Sequence, residues 1–309
     1  MSDKKHPRKI SRRSFVKLAG GAALTGAAVG LTGWSEAAHA ADDALGDAKG
    51  VLVDIPKCIG CESCSVACKI HNKLEWKQED QAKTAEDRAQ DPGKGLNGSI
   101  WTSINLYKVA PKGSRVKNRF VKTQCFHCQD PACVAACFAK AFQKTPEGPV
   151  VYDQGLCVGC RYCMMACPFN IIKYEWEKSI PGCSKCRMCY DRVMDGEEPA
   201  CVSVCPSGAL TYGTRSALLR QARERVADRG GDVSYIPHIY GEKEAGGTSW
   251  LYISDVPFEE MRFRTDVPVE SIPSYSEDYM KMTPLVGGAW AVVLGGIYWL
   301  RNKGKEHLD

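Results

Sequence analysis

Sixteen of the seventeen cysteines in this chain of 309 residues fall into four short groups, and no other feature constrains the fold as strongly. The spacing C-x2-C-x2-C-x3-C lets three thiolates hold one iron–sulfur cubane while the fourth thiolate reaches a different cluster. Four groups therefore predict four [4Fe–4S] clusters with sixteen cysteine ligands. The groups are Cys58, Cys61, Cys64 and Cys68; Cys125, Cys128, Cys133 and Cys137; Cys157, Cys160, Cys163 and Cys167; and Cys186, Cys189, Cys201 and Cys205.

The chain also contains an internal repeat, which is a strong guide to architecture. Segment 51–68, which ends in the first group, recurs as 150–167 at a constant offset of 99 residues, and segment 130–134 recurs as 198–202 at an offset of 68. The order of the half-motifs is thus A, B, A, B. Since a bacterial two-cluster ferredoxin domain uses a pair of half-motifs, the repeat predicts an α+β fold with two ferredoxin-like domains.

Other uses of cysteine compete with this interpretation. Zinc also binds C-x2-C pairs, but zinc ribbons use two separated pairs and have no need for triplets with a fourth cysteine. A disulfide framework would suit an exported protein, yet the dense triplets argue against it. Cys183 is left over as a buried apolar side chain. Because Cys183, Cys186 and Cys189 also have triplet spacing, the ligands of the fourth group stay open.

Residues 1–40 have the features of a targeting segment and are kept out of the fold prediction. Arg12 and Arg13 precede a weakly apolar run at 18–33, which matches the twin-arginine pattern, and 38–40 is a small-x-small cleavage site. A basic arm for nucleic acid is the alternative. Export by the twin-arginine translocase in the folded state keeps cluster ligands from forming disulfides, so we expect the protein to work outside the cytoplasmic membrane.

Between the first two groups lies an insert, 69–124, whose early part is charged and poor in apolar residues. Its later part alternates apolar and polar residues and predicts strands that form a small β layer without ligands. Short helices are expected after the closing cysteines, and an extension, 231–281, is expected after a body of 41–230. The other predicted elements are strands at 50–54, 148–153 and 249–253 and an amphipathic helix at 216–229.

Two histidines and three cations lie close to the cysteine groups. Histidine can replace cysteine at iron–sulfur centres, but all sixteen cysteine positions are filled, so His71 and His127 are expected to be neighbours of the clusters and not ligands. Lys185, Arg187 and Arg192 either tune cluster potentials through their charge or face solvent. The sequence leaves both possibilities open.

An uncharged stretch of 19 residues, 282–300, is long enough to cross a bilayer. A buried core helix is the alternative. Arg301, Lys303 and Lys305 follow the stretch, and the positive-inside rule then places the tail, 301–309, in the cytoplasm. The predicted topology is a cluster domain on the periplasmic face of the membrane with one C-terminal transmembrane anchor.

These features together resemble a known family. The paired arginines, the four cysteine groups, the anchor and the segment 237–248 are similar to the HybA-type iron–sulfur subunits of periplasmic, membrane-bound [NiFe] hydrogenases. The cysteine pattern alone is shared with subunits of molybdopterin oxidoreductases for formate, polysulfide or dimethyl sulfoxide. The resemblance implies three partners: the small and large [NiFe] hydrogenase subunits and a polytopic, quinone-reactive membrane subunit.

The resemblance also implies how the groups share clusters, since in relatives the first group pairs with the fourth and the second with the third. Lys69 and Phe138 depart from the family pattern, because proline often follows the closing cysteine there. The implied ligand sets are Cys58, Cys61, Cys64 and Cys205; Cys68, Cys186, Cys189 and Cys201; Cys125, Cys128, Cys133 and Cys167; and Cys137, Cys157, Cys160 and Cys163.

The functional prediction follows from the chemistry that the sequence contains. Four one-electron centres form a wire, whereas no nucleophile–base pair, phosphate loop or nickel site is visible. We therefore expect an electron-transfer subunit that is not catalytic by itself. A molybdopterin enzyme as partner, a zinc-binding structural module and a free-standing reductase are the alternatives. The formal net charge of +5 includes the leader and tail, and no nucleic-acid partner is inferred from it.

Overall fold

The computed structural model describes residues 48–76, 95–109, 116–176, 178, 182–228 and 233–303. The expected leader with Arg12 and Arg13, most of the charged part of the insert and the end of the tail lie outside these ranges. The chain divides into two compact units. One of them contains all sixteen grouped cysteines and is called the body; the other contains the C-terminal helix.

Short strands and helices alternate throughout the described ranges, which agrees with the predicted α+β class. The strands are β1 (Lys49–Asp54), β2 (Ser103–Val109), β3 (Lys117–Thr123), β4 (Phe142–Lys144), β5 (Val150–Tyr152), β6 (Lys173–Tyr174), β7 (Cys183–Ser184), β8 (Leu210–Thr214) and β9 (Trp250–Ile253). The helices are α1 (Ser63–His71), α2 (Ala132–Ala135), α3 (Tyr162–Ala166), α4 (Tyr190–Met194), α5 (Ala200–Ser203), α6 (Arg215–Ala227) and α7 (Ser274–Lys303).

The strand that leads into the first cysteine group is the centre of the largest sheet. β1 pairs antiparallel with β8 and parallel with β9. Successive side chains of a strand point to opposite faces, so Leu52 packs in a cluster with Leu218 of α6, whereas Val51 and Val53 belong to the core that contains Cys64. The sheet therefore separates helix α6 from the first cysteine group.

The sequence repeat has a counterpart in the strand pairing. β1 and β8 form one antiparallel pair, and β4 and β5 form another. At the offsets of 99 and 68 residues, β5 corresponds to β1 and β8 corresponds to β4. Because β1 precedes the first group and β8 follows the fourth, these two groups lie side by side, and the second and third groups lie side by side in the same way.

The insert forms the predicted hairpin against the body. β2 and β3 pair antiparallel with Leu106 opposite Phe120, which confirms the strands expected from the alternating pattern. Asp255, whose side chain is 5% exposed, accepts hydrogen bonds of 2.8 and 2.6 Å from Arg119 and 2.8 Å from Lys117. Burial alone would raise the pKa of Asp255, but these hydrogen bonds lower it below its usual value. The hairpin is thus fastened to the body by an ionised carboxylate.

Replacing Asp255 by asparagine should loosen this attachment. We expect a loss of about 2 kcal/mol, because charged hydrogen bonds to a buried group are lost, and hence a melting temperature lower by about 4–8 °C. Since the pKa of Asp255 is depressed, its stabilising effect is fully present above the unfolded-state pKa of about 4 and is lost as the pH falls from there through the folded-state pKa, so the difference should be constant between about pH 6 and 8. Thermal unfolding followed by circular dichroism measures it.

The matched control is Asp266→Asn, because this carboxylate pairs with Arg264 on the surface and its side chain is 67% exposed. Exposed pairs contribute little, so the control should change the melting temperature by about 2 °C or less. Equal effects of the two substitutions would contradict the anchoring role of Asp255.

Most of the predicted elements are confirmed, with one correction. Strands near 50–54, 148–153 and 249–253 are present, and α6 begins one residue before the predicted helix. The helices expected after the closing cysteines instead precede or contain them: α1 includes Cys64 and Cys68, and α3 includes Cys163. The reason is that the left-handed residues at the start of each helix, and not the closing cysteines, turn the chain away from the loop.

Most of the C-terminal helix belongs to the second compact unit. α7 contains 30 residues and is longer than the predicted span 282–300, which it includes. At about 1.5 Å per residue it spans about 45 Å, more than the hydrocarbon core of a bilayer, about 30 Å thick. The mean hydropathy of its apolar part is 1.4, and none of that part is buried. By length and composition α7 is a candidate membrane span, and the alternative of a buried core helix does not fit.

Candidate metal centres

Three cysteines of the first group and the last cysteine of the fourth group line one cavity. Its walls contain four thiols, those of Cys58, Cys61, Cys64 and Cys205, together with the Lys122 side chain. Burial raises the pKa of the Cys58 thiol to about 11, and the thiols of Cys64 and Cys205 raise it further. We call this space the first cavity.

A second set of thiols is more deeply buried. Cys68, Cys186, Cys189 and Cys201 are each at most 8% exposed. Burial raises the pKa of Cys68 to about 12, and the nearby thiols of Cys201 and Cys189 also raise it. Burial likewise raises the pKa of Cys186 well above its usual value, with Cys68 as the next cause. The closing cysteine of the first group therefore lies among cysteines of the fourth.

A third set joins the second cysteine group to the closing cysteine of the third group. Burial raises the pKa of the Cys128 thiol well above its usual value, and Cys167, Cys125 and Cys133 add to the increase. Burial also raises the pKa of Cys133; Lys185 lowers it, and Cys125 and Cys167 raise it further. These four thiols are thus close enough to repel one another when they ionise.

The remaining thiols line a separate space, which we call the fourth cavity. Its walls contain five cysteines: Cys137, Cys157, Cys160, Cys163 and Cys183. The Sγ atoms of Cys163 and Cys183 lie 3.4 Å apart. The alternative triplet of Cys183 with Cys186 and Cys189 therefore does not describe where Cys183 lies, because Cys186 and Cys189 are in the deeply buried set.

The loops between the cysteines have the same backbone conformation in both A half-motifs. Gly60 and Glu62 have positive φ values of 72° and 59°, and their counterparts Gly159 and Arg161 have values of 73° and 63°. At Gly60 a Cβ atom would lie 2.4 Å from the ring of Phe120, so glycine is required by packing as well as by conformation. The insert hairpin thus covers the first loop.

Positive φ values turn backbone amides toward the sulfur atoms. The amide of Gly159 donates to Cys157 Sγ at 3.4 Å, that of Met188 to Cys186 Sγ at 3.3 Å and that of Ala141 to Cys137 Sγ at 3.3 Å. Such hydrogen bonds favour the thiolate over the thiol and are one of the ways in which proteins set cluster potentials.

The donor sets fit iron–sulfur clusters better than single metal ions. Four buried thiols in one space cannot all ionise without a positive partner, since each raises the pKa of the others, and cluster irons are such a partner. In the described part of the chain no three His, Cys, Asp or Glu side chains are arranged to hold one metal ion. A zinc–thiolate site with bonds of about 2.3 Å would need such a group.

Lys122 is a buried cation beside the first cavity that the sequence analysis did not single out. It lies on β3, is 2% exposed and lines the first cavity. Its Nζ atom donates to Thr102 Oγ1 at 2.6 Å and to Gln124 Oε1 at 3.0 Å and lies 4.5 Å from the centre of the Trp250 ring. Burial lowers the pKa of the ammonium group, but surrounding thiols, those of Cys201 and Cys64 first, raise it above its usual value.

The structure also distinguishes the three cations whose role was open. Lys185 is 4% exposed, and its Nζ atom donates to the carbonyl groups of Val150 and Cys186. Arg187 is exposed, and Arg192 donates to the Glu198 carbonyl at the surface. Lys185 alone of the three is therefore a buried charge close to the cysteines.

The two histidines have protein partners. His127 is fully buried, and its Nδ1 atom accepts a hydrogen bond of 2.8 Å from the amide of Val150. Burial and the charge of Lys185 lower the pKa of His127 well below its usual value, which keeps the ring neutral. His71 lies 3.0 Å from the Asp191 carboxylate. Both histidines thus have partners within the protein, and their expected place beside the clusters stays a prediction.

Comparison with known proteins gives a family match and several relatives. The 4Fe-4S dicluster domain family matches residues 116–215, a range that contains every cysteine of the second, third and fourth groups. A protein of Nitratidesulfovibrio vulgaris (strain Hildenborough) is 40% identical over 97% of this chain and 79% of its own length. The hydrogenase-2 operon protein HybA of Escherichia coli O157:H7 is 34% identical over 82% of this chain and 83% of its own length. The iron-sulfur subunit of the nitrate-inducible formate dehydrogenase of Escherichia coli K12 is 34% identical over 65% of this chain and 66% of its own.

Proposed function

Because this chain belongs to the family of iron–sulfur subunits that includes HybA, we propose that it relays electrons between a periplasmic [NiFe] hydrogenase and a quinone-reactive membrane subunit. The relay uses four [4Fe–4S] clusters, each of which accepts and releases one electron. The chain supplies ligands, charges and an apolar surrounding for these centres. We assign it no catalytic residue, so the isolated chain should turn over no substrate.

One observation carries the proposal: two cavities each collect three thiols of an A half-motif and one thiol of a B half-motif. The first cavity combines Cys58, Cys61 and Cys64 with Cys205, and the fourth cavity combines the three equivalent cysteines with Cys137. Three local ligands and one distant ligand per cluster is the ferredoxin arrangement. It supports two ferredoxin-like domains, each built from one A and one B half-motif.

The same reasoning assigns all sixteen ligands. The deeply buried thiols and the third set complete the four centres, in the grouping that the family resemblance implies. The proposed sets are Cys58, Cys61, Cys64 and Cys205; Cys68, Cys186, Cys189 and Cys201; Cys125, Cys128, Cys133 and Cys167; and Cys137, Cys157, Cys160 and Cys163.

The hydrogenase partner is favoured over a molybdopterin enzyme by the extent of the similarity. The relative named for a hydrogenase operon aligns with 82% of this chain, whereas the formate dehydrogenase subunit aligns with 65% at the same identity of 34%. A formate dehydrogenase or a related molybdopterin enzyme remains the second candidate. It would keep the relay and change only the source of the electrons.

The decisive experiment is purification of the tagged protein from membranes under anaerobic conditions, followed by mass spectrometry of its partners. We expect both [NiFe] subunits, hydrogen-dependent dye reduction, and about sixteen iron atoms and sixteen acid-labile sulfides per chain. A molybdopterin partner without hydrogen uptake would replace the hydrogenase by the second candidate. Stoichiometric zinc in place of iron would overturn the relay itself.

We further propose that the twin-arginine leader exports the folded protein and that α7 anchors it on the periplasmic face, with the tail in the cytoplasm. The apolar surface of α7 and the cations that follow it support this topology. Export in the folded state would let the sixteen thiols bind iron in the cytoplasm. They would then be protected from disulfide formation when the protein reaches the oxidising periplasm.

A chain that ends at Pro273 should test this topology. When it is produced without its partner subunits and without α7, the protein is expected in the soluble periplasmic fraction instead of the membrane, because α7 supplies the apolar surface that a bilayer would bury. The double substitution Arg12→Lys and Arg13→Lys in the same truncated chain should leave it in the cytoplasm, and Arg8→Lys is the control that should not. Cell fractionation and immunoblotting measure all three. A truncated chain that stays in the membrane would contradict the anchor.

A further inference from the structure

The fourth cavity contains one thiol more than a cluster requires. A [4Fe–4S] cluster takes four cysteine ligands, whereas Cys183 lines this cavity in addition to the four proposed ligands. The first cavity, which is its counterpart in the internal repeat, is lined by four cysteines. Cys183 is also the one cysteine of the chain outside the four groups. Of these two equivalent cavities, only the fourth cavity is therefore lined by a fifth thiol.

Two separate elements bring Cys183 to its position beside Cys163. Cys183 lies on β7, opposite Tyr174 of β6, and its amide donates to the Tyr152 hydroxyl at 3.3 Å. Cys163 lies on α3. Both side chains are buried, and their Sγ atoms are 3.4 Å apart. This separation exceeds a disulfide bond of about 2.05 Å and fits a hydrogen bond between the two sulfur atoms, in which either can be the donor.

We propose that Cys183 is a reserve ligand of the fourth cavity, which can bind the iron that Cys163 normally holds. The inference rests on the proposed function, since it requires a cluster in this cavity. While Cys163 holds the iron, Cys183 lies beside its sulfur as an additional cysteine that no cluster requires. When Cys163 is absent, Cys183 loses its thiol proton to solvent and forms the iron–sulfur bond in its place.

The distance between the two sulfur atoms is short enough for Cys183 to take the place of Cys163. Because the two sulfur atoms lie 3.4 Å apart, an iron within bonding distance of one lies close to the other. Binding of Cys183 breaks its S–H bond, forms the one iron–thiolate bond that Cys163 would have made, and involves no oxidant or reductant. Burial of Cys183 keeps solvent from competing for the iron.

The test compares alanine substitutions at equivalent positions of the repeat. Cys163→Ala should keep the iron and sulfide content of the wild type, because Cys183 replaces the missing ligand. Cys64→Ala removes the equivalent cysteine of the first cavity, where no fifth thiol is present, and should lose about a quarter of the iron. The double variant Cys163→Ala, Cys183→Ala should lose the same quarter, and Cys183→Ala alone should lose none.

Iron and sulfide analysis and electron paramagnetic resonance of the dithionite-reduced complex measure these contents without an activity assay. Equal iron loss in Cys163→Ala and Cys64→Ala would overturn the reserve-ligand role, even if the double variant failed to fold. A wild-type protein that lacks about sixteen iron atoms would instead refute the proposed function. The two failures are therefore distinguishable.

Discussion

Replacing Cys205 by alanine is expected to remove one complete cluster, although this residue is far in sequence from the other cysteines of the first cavity. The cavity would keep the thiols of Cys58, Cys61 and Cys64 but lose its fourth thiol, the proposed fourth ligand of the cluster. Iron per chain should fall by about a quarter. Since metal–ligand bonds replace part of the apolar core in such domains, we also expect a stability loss of several kcal/mol.

Three measurements check this expectation: iron and sulfide content, thermal unfolding, and hydrogen-driven quinone reduction by the whole complex, which should fall to background because the relay is interrupted. Ser207→Ala is the matched control, because the Ser207 hydroxyl lies 3.8 Å from Cys205 Sγ and lines the same cavity. It should leave the iron content unchanged. Full iron content in Cys205→Ala would show that the first and fourth groups do not share a cluster.

Replacing Lys122 by methionine should lower the reduction potentials of the clusters nearest to it. Lys122 lines the first cavity, and the thiols of Cys201 and Cys64 act most strongly on it. A unit charge about 7 Å away in a medium with a dielectric constant of about 20 contributes about 2.4 kcal/mol, which corresponds to about 100 mV for one electron. Reduction adds negative charge, so removal of the cation makes it less favourable.

Redox titration followed by electron paramagnetic resonance would show two of the four clusters shifted downward by on the order of 100 mV. The control is Lys57→Met, because Lys57 precedes Cys58 directly but its side chain is 45% exposed and pairs with Asp54. Solvent screens exposed charges, so this control should shift the potentials by about 20 mV or less. Similar shifts in both variants would mean that burial does not matter to the charge effect.

Local features were the most predictable part of this protein. The cysteine spacings, the strands before the A half-motifs, the hairpin of the insert and the long apolar helix all depend on residues that are close in sequence. The helices near the closing cysteines were misplaced, because Glu62 and Arg161 adopt left-handed conformations that no propensity rule assigns to these residues. Their position depends on the loop that surrounds the sulfur atoms.

Long-range features were less predictable. Lys122 precedes Cys125 by three residues, yet it lines the cavity of the first group and lies over the ring of Trp250. Nothing in an alternating strand shows which polar side chain will be buried. Cys183 was ambiguous for the same reason, since its spacing from Cys186 suggested one group and its packing beside Cys163 places it in another cavity.

The sequence by itself determined the chemistry: sixteen thiols in four groups, a repeat of half-motifs, paired arginines and an apolar C-terminal stretch. Ligand spacing is a local property, because a short loop must fold around its own cluster. The family resemblance already implied which groups share clusters, whereas only the tertiary structure decided that a buried ammonium group lies beside the first cavity and that the fourth cavity holds a fifth thiol. These features depend on how β1, β8 and the insert hairpin pack against one another, and such contacts join residues whose separation in sequence carries no signal of their distance in space.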